Sequence, residues 1–219
     1  MSRGLTKLQV GPQDKTRAAR HFESEADAYS GRAERGLRKR LSARERQALF
    51  DLAEFGDPSV ATMIDVGCGG GVYALAAKAA GLRVTVVDVS PRMIHNLKGK
   101  VDLALVGDVE CIHLAARYDV VVCSGVLDFV VHPEIAFRNL CRLVLPGGRL
   151  VIQAPRASLG GYLYSLGVKA LHGFRMNLFT VHWLTRQANH CGLRFVRSRR
   201  PLPYNLAVLF QRPATLPVD

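Results

Sequence analysis

The feature that most constrains this chain is a short apolar run that stops on glycines. Val60-Ala-Thr-Met-Ile-Asp-Val66 leads into Gly67-Cys-Gly-Gly-Gly71, and helix-forming residues follow from Val72 to Ala80. An extended segment turns that sharply into a helix only through residues that tolerate left-handed backbone, which is the use of glycine. The rhythm then repeats. Arg83–Asp88 reads as a second strand, and Ser90-Pro91 opens a helix with serine at the cap and proline in the first turn. Val101–Val106 reads as a third strand, ending at Gly107-Asp108, and Tyr118–Cys123 as a fourth. A helix over Pro133–Leu143, a turn at Pro146-Gly147-Gly148 and a fifth strand over Arg149–Gln153 complete the series. Apolar runs without polar alternation, spaced by helices, indicate parallel strands covered on both faces. The expected fold class is α/β, a Rossmann-like doubly wound sheet.

The remainder of the chain is arranged around that series. With 219 residues there is room for one full domain, expected over 21–212, with a flexible arm at 1–20 and a tail at 213–219. His21 to about Phe55 has a helical pattern. After Ala154 the rhythm breaks into an insert at about 155–182, partly helical over Ser158–Phe174. A helix over His182–Cys191 and strands over Leu193–Val196 and Asn205–Phe210 follow. The five cysteines are scattered without a CxxC pair, so neither a disulfide framework nor a zinc site is expected, and no metal is assigned. The opening residues lack the apolar core of a signal peptide, which sets a cytoplasmic expectation. A formal charge of +12 would attract nucleic acid, an anionic membrane or an acidic substrate. Its clusters are Arg32 to Arg46 and Arg194 to Arg200, and the bland reading is a solvated basic face.

The glycine loop lies where open α/β sheets bind ligands, at the carboxyl ends of the strands. Asp65 immediately precedes it, and Asp88 ends the second strand, where a carboxylate can take both hydroxyls of a ribose. A dinucleotide fingerprint needs glycine or alanine where Val72 stands, and a P-loop needs Gly-Lys-Ser/Thr, which is absent. Asp65 would also sit badly beside a pyrophosphate and suits a cationic ligand.

With these motifs the sequence resembles the class I S-adenosylmethionine-dependent methyltransferases, from about His21 to Phe210. Their first motif, an acid followed by Gly-Cys-Gly-x-Gly, reads here Asp65-Val66-Gly67-Cys68-Gly69-Gly70-Gly71. Asp88, followed by Val89 and the usual Met93, matches the ribose-binding segment, and Gly107-Asp108-Val109 matches the adenine-binding one. Tyr118–Val126, which includes Ser124, and Leu145–Ile152 match the fourth and fifth strand motifs. The resemblance implies seven strands with the last antiparallel, and S-adenosylmethionine as cofactor. It implies a glycine loop (Gly67, Cys68, Gly69, Gly71) at the cofactor's methionine portion, with Asp65 balancing the ammonium. Cys68 reads as a small residue filling the turn rather than a nucleophile.

The fold leaves the acceptor open. Candidate regions are the N-terminal helix, the loop after strand four, and an aromatic lid in the insert carrying Tyr162, Tyr164, His172, Phe174, Phe179, His182 and Trp183, for which core packing is the competing reading. His132 is the first candidate base, and Tyr29 matches a tyrosine that small methyltransferases fold over the cofactor. Arg32 or Arg40 is a candidate for the cofactor carboxylate. The layout is distantly similar to quinone-biosynthesis and magnesium-protoporphyrin methyltransferases. The expected reaction is methyl transfer to an O or N atom of a small aromatic or anionic molecule. RNA or protein methylation is an alternative, opposed by Cys123-Ser124-Gly125-Val126 where base-modifying relatives carry Asp/Asn-Pro-Pro-Tyr/Phe. A non-catalytic cofactor- or nucleic-acid-binding module is another. A short-chain dehydrogenase is rejected, because Tyr164 and Lys169 miss the Tyr-x-x-x-Lys spacing. Leu159–Phe174 also suits peripheral contact with an anionic membrane. The oligomeric state is left open.

Overall fold

The computed structural model describes residues 10–31 and 36–214, with side chains outside 27–39. In chain order the elements are α1 (Pro12–Gly31), α2 (Gly36–Ala53), β1 (Thr62–Val66), α3 (Val72–Ala79), β2 (Arg83–Asp88), α4 (Pro91–Leu97) and β3 (Leu103–Val106). They continue with β4 (Tyr118–Ser124), a single 3-10 turn (Leu127–Phe129), α5 (Pro133–Arg142), β5 (Val144–Pro155), α6 (Leu159–His172), α7 (Val181–His190), β6 (Arg194–Arg199) and β7 (Asn205–Gln211).

The seven strands form one sheet in the order β3-β2-β1-β4-β5-β7-β6. β1 pairs parallel with β2 and β4, whereas β7 runs antiparallel to both β5 and β6. The expected class and the reversed last strand are therefore present. Alternate side chains serve opposite faces. Met63, Val120, Val122, Val151, Ala207 and Leu209 pack under α2, α3 and α4. Ile64, Val66, Val121, Cys123, Leu150, Ile152, Val208 and Phe210 pack under α5 and α7. Burial on both sides explains why these runs carry no polar alternation. Asp119, at the start of β4, is structural: its Oδ2 accepts from the N–H groups of Ala61 and Thr62 and the hydroxyl of Thr62.

Several expectations shift. Residues 12–20, expected within a flexible arm, form the first half of α1. Its start is pinned by Val10 N–H donating to Asn177 Oδ1, Arg17 to Gly173 O, and Arg175 N–H to Asp14 Oδ1. Those partners lie about 160 residues away, beyond the reach of a local pattern. The helical stretch expected over 21–55 is split between α1 and α2. The Pro146-Gly147-Gly148 turn lies inside β5 as an irregularity, between the pairs Tyr118–Val144 and Val120–Arg149. Residues 215–219 of the expected tail lie outside the described residues.

Candidate active site

The loop after β1 is shaped by contacts that leave no room for side chains. Gly67 has φ +76°, and a Cβ there would stand 1.9 Å from Val126 Cγ2; at Gly71, also φ +76°, it would stand 2.5 Å from Leu97 Cδ2. The loop is tied to β2 by Gly67 N–H and Cys68 N–H, both donating to Val87 O. Asp88 closes it: Oδ2 accepts from Gly69 N–H and Oδ1 from Ser90 N–H, each at 2.9 Å. Ser90 caps α4 by accepting from Met93 N–H, as its sequence position predicts.

Asp65 is the least satisfied group of this set. It is buried, with neither carboxylate oxygen hydrogen-bonded. Burial, then the charge of Asp88, pushes its carboxyl up to about 7. Burial also raises Asp88, against the N–H groups of Ser90 and Gly69. A carboxyl kept dry and unpaired costs several kcal/mol unless it is neutralised or meets a cation. The thiol of Cys68 is pushed far up by burial and the two aspartates, which suits filling the turn and not nucleophilic attack.

Around the carboxyl end of β3, Asp108 Oδ2 accepts from Lys15 of α1 at 2.5 Å, and Lys15 also pairs with Glu110. Glu110 holds the backbone N–H of Val131 and of His132, which locks the loop after β4. Val109 is buried, and its carbonyl accepts from Asn139. Glu23, one face further along α1, takes the Ser90 hydroxyl. α1 therefore lies across the strand ends from Asp108 to Asp88.

Beyond β4 a second unsatisfied cluster appears. Asp128, in the 3-10 turn, is buried with Oδ1 unpartnered, and Gln153 at the end of β5 is buried with Oε1 unpartnered. Burial pushes the Asp128 carboxyl well up, helped by Glu45 of α2 and opposed by its own N–H. Ser124 is hydrogen-bonded to Tyr73. Asn177 stitches the insert to this turn: its Nδ2 donates to Leu127 O and Val130 O, and its N–H to Asp128 O. Rings of His21, Phe22, Phe129, His172 and Phe174 pack in one cluster that joins α1, the turn and the end of α6. Among the described residues no group of three or more His, Cys, Asp or Glu is placed to hold a metal ion.

A family model described as a methyltransferase domain matches residues 34–199, well over half of the chain. The chain belongs to this family. A ubiquinone biosynthesis O-methyltransferase of Coxiella burnetii is 31% identical over 111 residues, 48% of this chain and 47% of that protein. The chain thus spans about half the length of the relatives it matches. Among solved structures, magnesium protoporphyrin IX methyltransferase from Synechocystis PCC 6803 with bound S-adenosylhomocysteine superposes with TM-score 0.71 at 18% identity, over 90% of this chain and 99% of that one. The N-methyltransferase NodS of Bradyrhizobium japonicum, also bound to S-adenosylhomocysteine, gives 0.62 at 18% identity over 88% and 98%. S-adenosylmethionine is the cofactor of the family, and the class I fold is present.

The structure brings some of the residues singled out from the sequence together and separates others. Asp65, Gly67, Cys68, Gly69, Gly71, Asp88 and Val89 converge on the loop between β1 and β2, with Val89 exposed beside it. Met93 is buried in the packing of α4, and Asp108 engages Lys15 instead of standing free. His132 is exposed at the N-terminus of α5; its ring caps nothing and its backbone is bound to Glu110. The side chain of Tyr29, and Arg32 with it, lie outside the described residues. The aromatic lid is only partly a lid. Phe174, Phe179 and Trp183 are buried, Trp183 packing on Phe137 and Phe179, whereas Tyr164 is exposed and stacks on Tyr204 at 4.6 Å. Sequence reading passed over Asp128, Gln153, Asn177, Glu110 and Lys15. The one available signal was the position of Asp128, four residues past Ser124 at the end of β4.

Proposed function

We propose that the methyltransferase alkylates a hydroxyl or amino group on a small, apolar and aromatic acceptor, with the acceptor's donor group facing Asp128 and Gln153. The observation that carries this reading is the pair of unpartnered acceptor sets at the strand ends. Asp65 fits the ammonium of the cofactor's methionine portion, because both its oxygens are buried and free, and the glycine cradle admits a ligand where a Cβ would collide. Asp88 would hold the ribose hydroxyls, with Asp108 and the Val109 N–H at the adenine, and Gly67, Gly69 and Gly71 at the methionine backbone. When bound, the cofactor supplies an electrophilic methyl group on a sulfonium.

The rest is the work of the chain's own residues. Asp128 Oδ1 and Gln153 Oε1 can only accept, or in a protonated Asp128 share a proton, so they favour an acceptor that brings an O–H or N–H. A carboxyl raised by burial is a stronger base than an exposed one, which suits Asp128 to receive that proton at Oδ1 as the acceptor is alkylated. Anionic acceptors are disfavoured here, since the buried charge at the strand ends is all acidic. α1, tied down by Lys15 and Glu23, excludes water from the strand ends.

The exposed face of α6 supports a lipophilic acceptor collected at an anionic membrane. Leu159, Leu163, Leu166 and Leu171 stand in solvent, beside Lys169 and Arg175. No described helix is long and apolar enough to cross a membrane. Sedimentation with anionic vesicles should carry the protein down in dilute buffer and lose it when salt is added or Leu163→Glu is introduced; absence of binding in dilute buffer removes this part of the reading.

Calorimetric titration with S-adenosylmethionine and S-adenosylhomocysteine, with NADH as control, tests the cofactor side. A screen of phenols, catechols and aryl amines for S-adenosylhomocysteine release tests the acceptor side. Asp128→Asn should lower kcat by about 100-fold or more, whereas His132→Ala should leave it within about threefold. The reverse order would return the base to His132.

A further inference from the structure

A second cluster lies at the opposite end of the strands from the glycine loop, where α5 and α7 lead into β5 and β6. Cys141, in the last turn of α5, and Cys191, which caps α7, are both free thiols that face one cavity. They line a cavity of about 250 Å³ with Arg138, Arg142 and Arg212. Glu134 is the acidic residue of that lining, and His190 stands beside Cys191. Arg212 is fixed in place: its Nη2 donates to Cys141 O at 2.9 Å and its Nε to Val144 O at 3.2 Å. Cys141 is buried and Cys191 half-buried, so Cys191 is the more accessible of the two.

We propose that Cys191 and Cys141 form a thiol–disulfide exchange site for small disulfides that carry carboxylates. Three guanidiniums against one carboxylate attract an anionic reagent into a pocket too small for a protein chain. The neighbouring Cys141 thiol, then the charges of Arg138, Arg212 and Arg142, lower the Cys191 thiol against the effect of burial, which favours its thiolate. The Cys141 thiol is pushed up by Cys191 beside it and by burial, which suits it to the resolving role. In the first step the Cys191 thiolate attacks one sulfur of the disulfide; that S–S bond breaks, and the departing thiolate takes a proton from water. In the second, Cys141 gives up its proton to solvent and attacks the Cys191 sulfur, releasing the second thiolate. The protein dithiol is oxidised by two electrons and the small disulfide is reduced to two thiols.

The test uses the full chain with Cys111→Ser, which removes the exposed cysteine. The protein is reduced, freed of reductant and exposed to oxidised glutathione or to cystamine, a cationic disulfide, and its tryptic peptides are mapped by mass. The expected product is a linked Cys141–Cys191 peptide, forming about tenfold faster with oxidised glutathione than with cystamine in dilute buffer, the two rates converging as salt is added. Cys141→Ser keeps a hydrogen-bond donor beside Cys191 and should stop at a glutathione adduct on Cys191; Cys191→Ser should yield neither product. The proposal is overturned if the folded protein gives no linked peptide, or if cystamine reacts as fast in dilute buffer. If Cys141→Ser fails to fold, the linked peptide of the Cys111→Ser chain and its rate ratio still decide.

Discussion

Thirty lysines and arginines against eighteen acids make the chain strongly basic, yet the charged side chains buried among the described residues are Asp65, Asp88 and Asp128. Surface and interior differ in what a charge costs. On the surface, water and salt screen each guanidinium, so a basic excess accumulates with little effect on stability and marks only a general affinity for anions. At the carboxyl ends of β1, β2 and β4 each carboxyl is stripped of water, and its retention there needs a partner. Asp88 has two backbone N–H groups, whereas Asp65 and Oδ1 of Asp128 have none. The net charge therefore bears on how the protein meets its surroundings, and the buried acids on the ligands we propose they hold.

That contrast can be broken most severely at Asp88. Asp88→Ala should weaken S-adenosylmethionine binding by about 100-fold or more in calorimetry, since it removes a ligand carboxylate and releases Gly69 and Ser90 together. Added salt should leave the wild-type cofactor affinity nearly unchanged while abolishing attachment to anionic vesicles. Next in size, Gly67→Ala should cost at least about 2 kcal/mol in urea denaturation, from left-handed backbone and from the clash with Val126. Val126→Ala in the same chain should return the steric share and not the backbone share.

Asp65 sharpens the comparison through pH. Its folded carboxyl sits near 7 against 3.8 in an ordinary one, so the folded state holds the proton more tightly. The stability this contributes is complete below about pH 4 and is lost as pH rises through about 7. Asp65→Asn should therefore make the unliganded protein more stable at pH 8, on the order of a few kcal/mol, with little change at pH 4. Cofactor binding should move the other way: in wild type it should strengthen as pH rises from 6 to 8, and in Asp65→Asn that dependence should flatten. The smallest effect is expected for Lys15→Ala, which severs a partly exposed bridge from α1 to Asp108 and Glu110. About 1 kcal/mol of stability and faster proteolysis within α1 are the readouts.

The cofactor half of the site was legible because it is written locally. Strand, glycine turn and helix follow one another within Val60–Ala80, and Asp88 ends the next strand, so spacing alone places them together. The acceptor half was not. His132 was singled out by position and stands exposed at the start of α5, its side chain without a capping bond, while Asp128, the candidate we propose, was passed over inside a run of apolar residues. Trp183 and Phe174, for which the sequence left lid and core packing both open, are core, because α7 and the end of α6 fold back onto α5 and the turn after β4. Lys15 sat in a stretch read as an arm, and its partners are more than ninety residues away.

The order of strands and helices, the glycine loop and the acid beside it were determined by sequence, because each depends on periodicity, backbone freedom and residues within one βα unit. Which carboxyls lose their water was decided only by tertiary structure. Desolvation depends on what packs above a residue, and α1, the 3-10 turn and the insert come together there from three distant parts of the chain. The same holds at the other end of the strands, where Cys141 and Cys191, fifty residues apart, meet among arginines only because α5 and α7 lie side by side.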